Sequence, residues 1–156
     1  TFSKAYGLAA LRVGYAIGHP DVVQWLIRTK LPFDPNGPGC AAAVAALDDQ
    51  DFVLDTIELN GKGLALLLST LRECGYVTSD SVANFVMVDL GDRNKATAFH
   101  THLLLQGFIA RPLTGFGLPT CVRISTGTHE QNLRLANVLR AYAAEFIEAP
   151  SPSLIQ

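Results

Sequence analysis

Long hydrophobic runs, clustered basic residues and paired cysteines are all missing from this sequence. The leucine-rich run from Leu64 to Leu68 is far shorter than the ~20 apolar residues that a membrane-spanning helix needs. The formal net charge is -2 and the 12 basic residues are scattered, which indicates no surface for nucleic acid or for an anionic membrane. We therefore expect small soluble molecules as partners.

Cysteine and histidine are too sparse to build a disulfide framework or a metal site. Cys40, Cys74 and Cys121 are odd in number and widely spaced, which favours a reducing compartment, and we expect a cytoplasmic protein with these cysteines as small buried side chains. His100 and His102 point in roughly opposite directions on the helix predicted there. Without a third ligand nearby, the sequence predicts no metal site.

Alternating strand and helix patterns predict an α/β fold. At 156 residues and 49% hydrophobic composition, the chain can bury a substantial core. The later part predicts two or three strands with helices on one face. The predicted strands are 12–17, 82–90, 108–111 and 121–126. One predicted helix begins after Asp21, three more span 40–47, 49–74 and 95–106, and the last begins at a capping box at 128–131.

The first 48 residues do not make a complete domain by themselves. We expect residues 1–48 to end a larger domain, residues 49–148 to form a small α/β domain, and residues 149–156 to form a loose tail. Because a reactive lysine lies at position 4, where termini normally fray, we also expect further residues before Thr1 in the native protein.

The chemistry is concentrated in the opening string, which places a lysine beside two hydroxyls and an arginine. Apolar neighbours and a nearby guanidinium disfavour the charged form of Lys4, so its amine could act as a nucleophile. Along a strand, Thr1 and Ser3 would share one side, where Arg12 could join them in binding a phosphate. A surface lysine with a structural arginine is the alternative explanation of the same residues.

Two later arginines are candidates for binding an anion. Arg123 lies between Val122 and Ile124 in an apolar strand, where a charge needs an anionic partner. A structural salt bridge or a bound ligand would meet that need. Arg111 precedes a glycine-rich loop, residues 114–119, which lacks the spacing of a nucleotide-binding loop.

The combined motifs resemble the fold-type I pyridoxal-phosphate aminotransferases, and most closely the subgroup that acts on histidinol phosphate. The resemblance rests on residues 1–15 together with motifs at 32–36, 83–85, 109–112 and 122–127, which occur in the family's order. It implies that Lys4 holds pyridoxal 5'-phosphate and that Ser3, Arg12 and Thr1 bind the cofactor phosphate. It also implies that Arg123 binds the substrate α-carboxylate and Arg111 the substrate's phosphate or side chain.

The resemblance implies transamination of histidinol phosphate with 2-oxoglutarate and glutamate in histidine biosynthesis. The implied partners are amino-acid and 2-oxo-acid substrates, and the implied assembly of the full-length form is a homodimer. Aromatic amino acid transamination is the alternative within the family. The family's remaining cofactor ligands precede the lysine motif, so we expect this chain to be the C-terminal part of a longer enzyme and inactive alone. A silent C-terminal fragment or interaction module, or a phosphate-binding protein without lysine chemistry, are the alternatives from other classes.

Overall fold

The computed structural model describes residues 1–146, which divide into two compact units. The first unit is Thr1–Ile57 and the second begins at Glu58, so the boundary falls within a helix. The loose tail predicted at 149–156 lies outside the described residues.

The first unit consists of a short 3-10 turn followed by helices. The turn spans Ala9–Leu11, and helices α1 and α2 span Pro20–Thr29 and Gly37–Asp48. Helix α1 begins one residue before the predicted cap, because Pro20 fits the first helical turn and the His19 side chain accepts from the Asp21 amide at 3.4 Å. The core of the first unit contains the buried residues Phe2, Val13 and Ala43.

The strand predicted at residues 12–17 does not form. Arg12 adopts a left-handed conformation with φ 54°, which breaks the extended backbone that a strand requires. Val13 still accepts a backbone hydrogen bond from Phe2 at 3.2 Å, but residues 13–19 have no regular structure. Of the apolar residues that suggested a strand, Val13 is buried, whereas Tyr15 and Ile17 are exposed.

Helix α3 spans Gln50–Glu73, close to the predicted 49–74. Its C-terminal half buries Leu64, Leu67 and Leu71. The helix ends as predicted, since Gly75 has φ +81° and its amide donates to the Arg72 carbonyl at 3.0 Å.

The second unit contains a four-stranded antiparallel sheet, one strand more than the maximum predicted. The strands are β1 (Val77–Thr78), β2 (Phe85–Asp89), β3 (Arg111–Pro112) and β4 (Cys121–Ser125), in the order β1-β2-β4-β3. The predicted strands 82–90 and 121–126 are confirmed in shorter form. The strand predicted at 108–111 is reduced to a two-residue pairing, since Arg111 and Pro112 pair with Arg123 and Val122.

Helices α3, α4 (Arg93–Leu105) and α5 (His129–Phe146) pack on one face of this sheet. On β2 and β4, alternate residues enter the core. The main buried side chains are Leu67 and Leu71 of α3, Val86 and Val88 of β2, Phe99 and Leu103 of α4, Val122 and Ile124 of β4, and Leu139 of α5. The predicted α/β class is therefore confirmed, with one apolar face of the sheet covered by helices.

A reciprocal pair of hydrogen bonds begins α5, as the capping-box prediction required. The Gln131 amide donates to Thr128 Oγ1 at 3.3 Å, and the Thr128 amide donates to Gln131 Oε1 at 2.9 Å. Across residues 1–146, every helix is too short or too polar to cross a lipid bilayer.

Candidate active site

Two neighbouring chain segments, residues 1–3 and 12–14, form the scaffold around the candidate lysine. The Phe2 amide donates to the Val13 carbonyl at 3.2 Å, and both side chains are buried. Ser3 follows the first of these two residues and Arg12 precedes the second. The buried pair therefore anchors both candidate phosphate ligands in the first unit.

The two hydroxyls lie together as the sequence predicted. Thr1 Oγ1 donates to Ser3 Oγ at 2.9 Å, and the Ser3 amide donates to Thr1 Oγ1 at 3.2 Å. The local cause differs from the prediction, because a bend with a side-chain to backbone hydrogen bond replaces the expected strand. The result is a compact pair of hydroxyl groups that can donate to one anion.

Lys4 is exposed, so the loss of hydration predicted from its apolar neighbours is not observed. The Lys4 carbonyl accepts from the Gly7 amide at 2.9 Å, which makes residues 4–7 a tight turn. The turn directs the apolar neighbours Phe2 and Tyr6 against each other, with ring centroids 4.8 Å apart. The amine of Lys4 is therefore accessible to a reactant.

The sequence predicted that Arg12 reaches the site from a neighbouring strand, but the structure has no strand at this position. Arg12 ends the 3-10 turn in a left-handed conformation, and its Nη1 donates to the Ala9 carbonyl at 2.6 Å. A non-glycine residue in this conformation is uncommon and costs on the order of 1 kcal/mol or more. The remaining guanidinium donors of Arg12 can bind an anion.

Asn36, which is distant in sequence, makes a hydrogen bond to this turn that was not predicted. Its Nδ2 donates to the Leu11 carbonyl at 2.9 Å, and its Oδ1 accepts from the Gly39 amide at 2.7 Å. The second contact is an ordinary helix N-cap, which an asparagine before Gly37 and Pro38 can indicate. The contact to Leu11 joins residues that are 25 positions apart, and no sequence signal reports it.

Arg111 and Arg123 are direct cross-strand partners in the second unit. Cross-strand partners share a face of the sheet, and Met87 of β2 lies opposite Arg123 in register. Val122 and Ile124 point into the helix-covered core, so Arg123 projects from the opposite face. The sheet therefore places both candidate substrate arginines side by side on its open face.

Aromatic rings, rather than carboxylates, support the two guanidinium groups. The Arg123 guanidinium lies 5.0 Å from the Phe85 ring centroid, and that of Arg111 lies 5.3 Å from the Phe116 ring centroid. These rings are within cation–π range and leave both positive charges uncompensated. The sequence alone does not reveal either phenylalanine as a stacking partner, because stacking depends on register and loop geometry.

Arg123 also keeps an unsatisfied donor. Its Nε is buried and has no hydrogen-bond partner, and neither it nor Arg111 forms a salt bridge within residues 1–146. Adjacent like charges on paired strands destabilise a sheet, and an unpaired buried donor adds to that cost. The structural salt bridge considered for Arg123 is therefore not observed among the described residues. A bound anion would relieve both the repulsion and the unpaired donor.

Asn84 and His102 each contact other residues of the second unit. The backbone carbonyl of Asn84 accepts from the Thr126 amide at 3.0 Å, which closes the end of the β2–β4 pair. His102 packs its ring against Tyr142 with centroids 4.8 Å apart.

The chain matches the protein family described as Aminotransferase class I and II over residues 1–139. It is 47% identical over 139 residues to histidinol-phosphate aminotransferase 1 of Thiobacillus denitrificans, which covers 89% of this chain and 35% of that protein. It is 42% identical over 146 residues to histidinol-phosphate aminotransferase 1 of Nitrosococcus oceani, covering 94% of this chain and 39% of that protein.

A solved structure gives the same result for the fold. The histidinol-phosphate aminotransferase of Sinorhizobium meliloti, in complex with pyridoxal-5'-phosphate, aligns with a TM-score of 0.79 at 32% identity. The alignment covers 93% of this chain and 40% of that one.

The chain therefore belongs to the class I and II aminotransferase family, and the family resemblance inferred from its motifs is confirmed. It spans between 35% and 39% of the length of these two curated relatives.

Proposed function

We propose that this chain forms part of a pyridoxal-phosphate-dependent aminotransferase that acts on histidinol phosphate, with glutamate and 2-oxoglutarate as the other substrate pair. One observation carries the proposal: Arg111 and Arg123 lie side by side without carboxylate partners in the described residues. The relatives named above are histidinol-phosphate aminotransferases, which supports the same substrate.

The substrates' own charges fit two arginines. Histidinol phosphate carries a phosphate and no carboxylate, whereas glutamate carries two carboxylates. In the proposed reaction Arg123 binds the α-carboxylate of glutamate through a bidentate contact. Arg111 binds the phosphate of histidinol phosphate through the donors of its guanidinium group.

The residues of the first unit fit a phosphorylated aldehyde cofactor. The Thr1 and Ser3 hydroxyls, 2.9 Å apart, together with the Arg12 guanidinium, offer donors for a phosphate. The relative from Sinorhizobium meliloti was solved with pyridoxal-5'-phosphate, which supports this cofactor. When bound, the cofactor supplies an electron sink for the charge that develops at the substrate Cα.

Lys4 has two tasks in the proposed mechanism. Its accessible amine holds the cofactor covalently before the substrate's amino group arrives. Once released, Lys4 Nζ acts as the general base that removes the proton from the substrate Cα, and as the acid that returns it. Arg123 orients the substrate so that this proton faces the lysine.

Three further proposals follow from the resemblance and the composition. We propose that residues 1–48 end a large cofactor-binding domain and that residues 49–148 form a small domain. We also propose a homodimer as the active assembly. A cytoplasmic location remains a prediction from the odd number and wide spacing of the cysteines.

Substrate discrimination by the full-length protein tests the proposed function. We expect amino transfer from histidinol phosphate to 2-oxoglutarate, with kcat/KM falling about 100-fold in Arg111→Ala, since a charged hydrogen-bonded contact is worth roughly 1.5–3 kcal/mol. Activity on phenylalanine should change far less. Arg134→Ala is the matched control, because Arg134 also stacks on a ring, that of Phe108 at 5.3 Å, but lies on α5.

Two outcomes would contradict the proposal. Equal losses on histidinol phosphate and on phenylalanine would show that Arg111 does not recognise the phosphate, and would favour the aromatic amino acid alternative. Absence of any amino transfer by the full-length protein supplied with pyridoxal phosphate would reject the enzymatic function itself.

A further inference from the structure

Asn36 is the side chain that joins the start of α2 to the turn carrying Arg12. Its amide group uses both ends, since Oδ1 accepts from the Gly39 amide at 2.7 Å and Nδ2 donates to the Leu11 carbonyl at 2.9 Å. These contacts require an acceptor on one side and a donor on the other. Asparagine meets both requirements without carrying a charge.

The Leu11 carbonyl matters because it belongs to the peptide plane that also contains the Arg12 amide. Rotation of this plane about the bond from N to Cα of Arg12 is what φ of Arg12 measures. The observed φ of 54° lies in the left-handed region, which a non-glycine residue adopts only when its surroundings hold it there. The hydrogen bond from Asn36 fixes the orientation of that plane.

The packing of α2 against the turn is unusually close at the same place. A Cβ at Gly39 would lie 2.9 Å from the Leu11 carbonyl oxygen and 3.0 Å from Asn36 Oδ1. Any larger residue at position 39 would therefore separate the first turn of α2 from Leu11. The glycine and the asparagine together form a close contact that holds the Leu11 carbonyl.

We propose that Asn36 is a positioning residue for Arg12, and that it acts by holding the Leu11–Arg12 peptide in the orientation that presents the guanidinium to the cofactor phosphate. This inference rests on the proposed function for the identity of the anion. Asn36 acts on Arg12 through the Leu11 carbonyl. The part of the inference that concerns the Arg12 backbone is independent of any cofactor.

Two substitutions separate the clamp on Leu11 from the cap on α2. Asn36→Asp and Asn36→Ser both keep a good helix N-cap, because each retains an oxygen that can accept from the Gly39 amide. The aspartate has no donor for Leu11, and the serine hydroxyl is too short to replace Nδ2. The serine variant adds no charge, so agreement between the two variants excludes a simple electrostatic effect.

The first readout compares pyridoxal phosphate with pyridoxal, which lacks the phosphate, by absorbance titration of the full-length protein. We expect both variants to bind pyridoxal phosphate about tenfold more weakly, because part of the charged hydrogen bonding between Arg12 and the phosphate is lost. Pyridoxal affinity should remain within about twofold of the unsubstituted protein, because the phosphate contact is the one disturbed.

The second readout is amide hydrogen exchange over residues 9–14, measured without any cofactor. We expect exchange to be about fivefold faster in both variants, as the loss of one hydrogen bond predicts. Asp92→Asn is the matched control, since Asp92 caps α4 in the other unit and asparagine caps equally well. This control should change neither exchange in residues 9–14 nor the affinity ratio.

Unchanged exchange over residues 9–14 in both variants would overturn the clamp. Faster exchange with equal weakening of both ligands, or of neither, would overturn the role of the clamp in phosphate binding. If the unsubstituted full-length protein binds neither ligand, the proposed function fails, and the exchange measurement still decides whether Asn36 holds the Arg12 backbone.

Discussion

At the scale of single residues, the most informative feature is the pairing of two uncompensated arginines. Arg111 and Arg123 face each other across β3 and β4, and each stacks on a phenylalanine instead of pairing with an acid. An aromatic ring restricts the plane of a guanidinium but does not neutralise it. The arrangement therefore holds two oriented forks that keep their charge for an incoming anion.

Arg123→Lys should damage recognition of glutamate while keeping the positive charge. Lysine cannot form the two parallel hydrogen bonds that a guanidinium offers to a carboxylate, so kcat/KM for glutamate should fall by about 10- to 100-fold. Steady-state kinetics of the full-length protein measures this, with Arg134→Lys as control. A loss below about threefold would mean that Arg123 does not contact the carboxylate through both donors.

For residues 1–4, the sequence predicted which side chains lie together better than it predicted the backbone conformation or the exposure of Lys4. The sequence predicted that Thr1 and Ser3 lie together, and they do, but through a bend that no alternation pattern describes. It also placed Lys4 in an apolar setting, whereas the turn that follows leaves its side chain exposed. Neighbours in sequence are poor guides to burial where the backbone turns within four residues.

At the scale of secondary-structure elements, Asn132 of α5 holds the backbone just after β4 and also lies close to α3. Asn132 of α5 is 2% exposed, accepts from the Gly127 amide at 2.8 Å and donates to the Gly127 carbonyl at 3.0 Å. A Cβ at Gly63 of α3 would lie 2.6 Å from its Nδ2. Because both hydrogen bonds fix Asn132, it cannot move away from a larger residue.

Gly63→Ala should therefore destabilise the protein even though alanine favours helices. We expect a loss of about 1–3 kcal/mol in the free energy of unfolding, the usual cost of overpacking a filled site. Gly61→Ala is the control, because nothing lies within 4 Å of a Cβ there, and it should gain up to about 1 kcal/mol. Urea denaturation measures both, and equal effects of the two substitutions would refute this account of α3.

The turn after β2 gives a prediction about pH. Asp89 accepts from the Gly91 amide at 2.9 Å, and this bond is the largest cause that lowers the pKa of the Asp89 carboxyl. A carboxyl whose pKa is lower in the folded state adds stability above its unfolded pKa, near 3.8, and loses it as pH falls through the folded value.

Asp89→Asn should accordingly flatten the loss of stability on acidification. The amide does not titrate, so the unfolding free energy of the variant should depend less steeply on pH below about 4. Denaturation at a series of pH values from neutral to acidic measures the slope. An unchanged slope would show that the Asp89 turn does not contribute to acid sensitivity.

Elements with strong local signals were predicted well. Helix α3 was predicted at 49–74 and spans Gln50–Glu73, because its cap at Gly75 is a local feature. Strand β1 contains two residues and exists through its pairing with β2, so periodicity did not reveal it. Strand β3, predicted at 108–111, forms only at Arg111–Pro112, because its extent depends on pairing with β4. The clamp from Asn36 to Leu11 depends on tertiary structure for the same reason.

At the scale of the whole molecule, the two units differ in how much they bury. The second unit has a continuous core between its sheet and helices α3, α4 and α5, whereas the first centres on Phe2, Val13 and Ala43. Helix α1 buries none of its residues, and Trp25 is 65% exposed. The proposed cofactor residues thus lie in the unit with the smaller core, and the proposed substrate arginines in the other.

The proposed function requires that Lys4 carries pyridoxal phosphate in the full-length protein. Borohydride reduction fixes this cofactor on the lysine that holds it, and peptide mapping by mass spectrometry then identifies the residue. We predict the pyridoxyl group on Lys4 and its loss in Lys4→Arg, which keeps the charge but cannot form the linkage. A label on Lys30, Lys62 or Lys95 instead, or no label after incubation with the cofactor, would contradict the account.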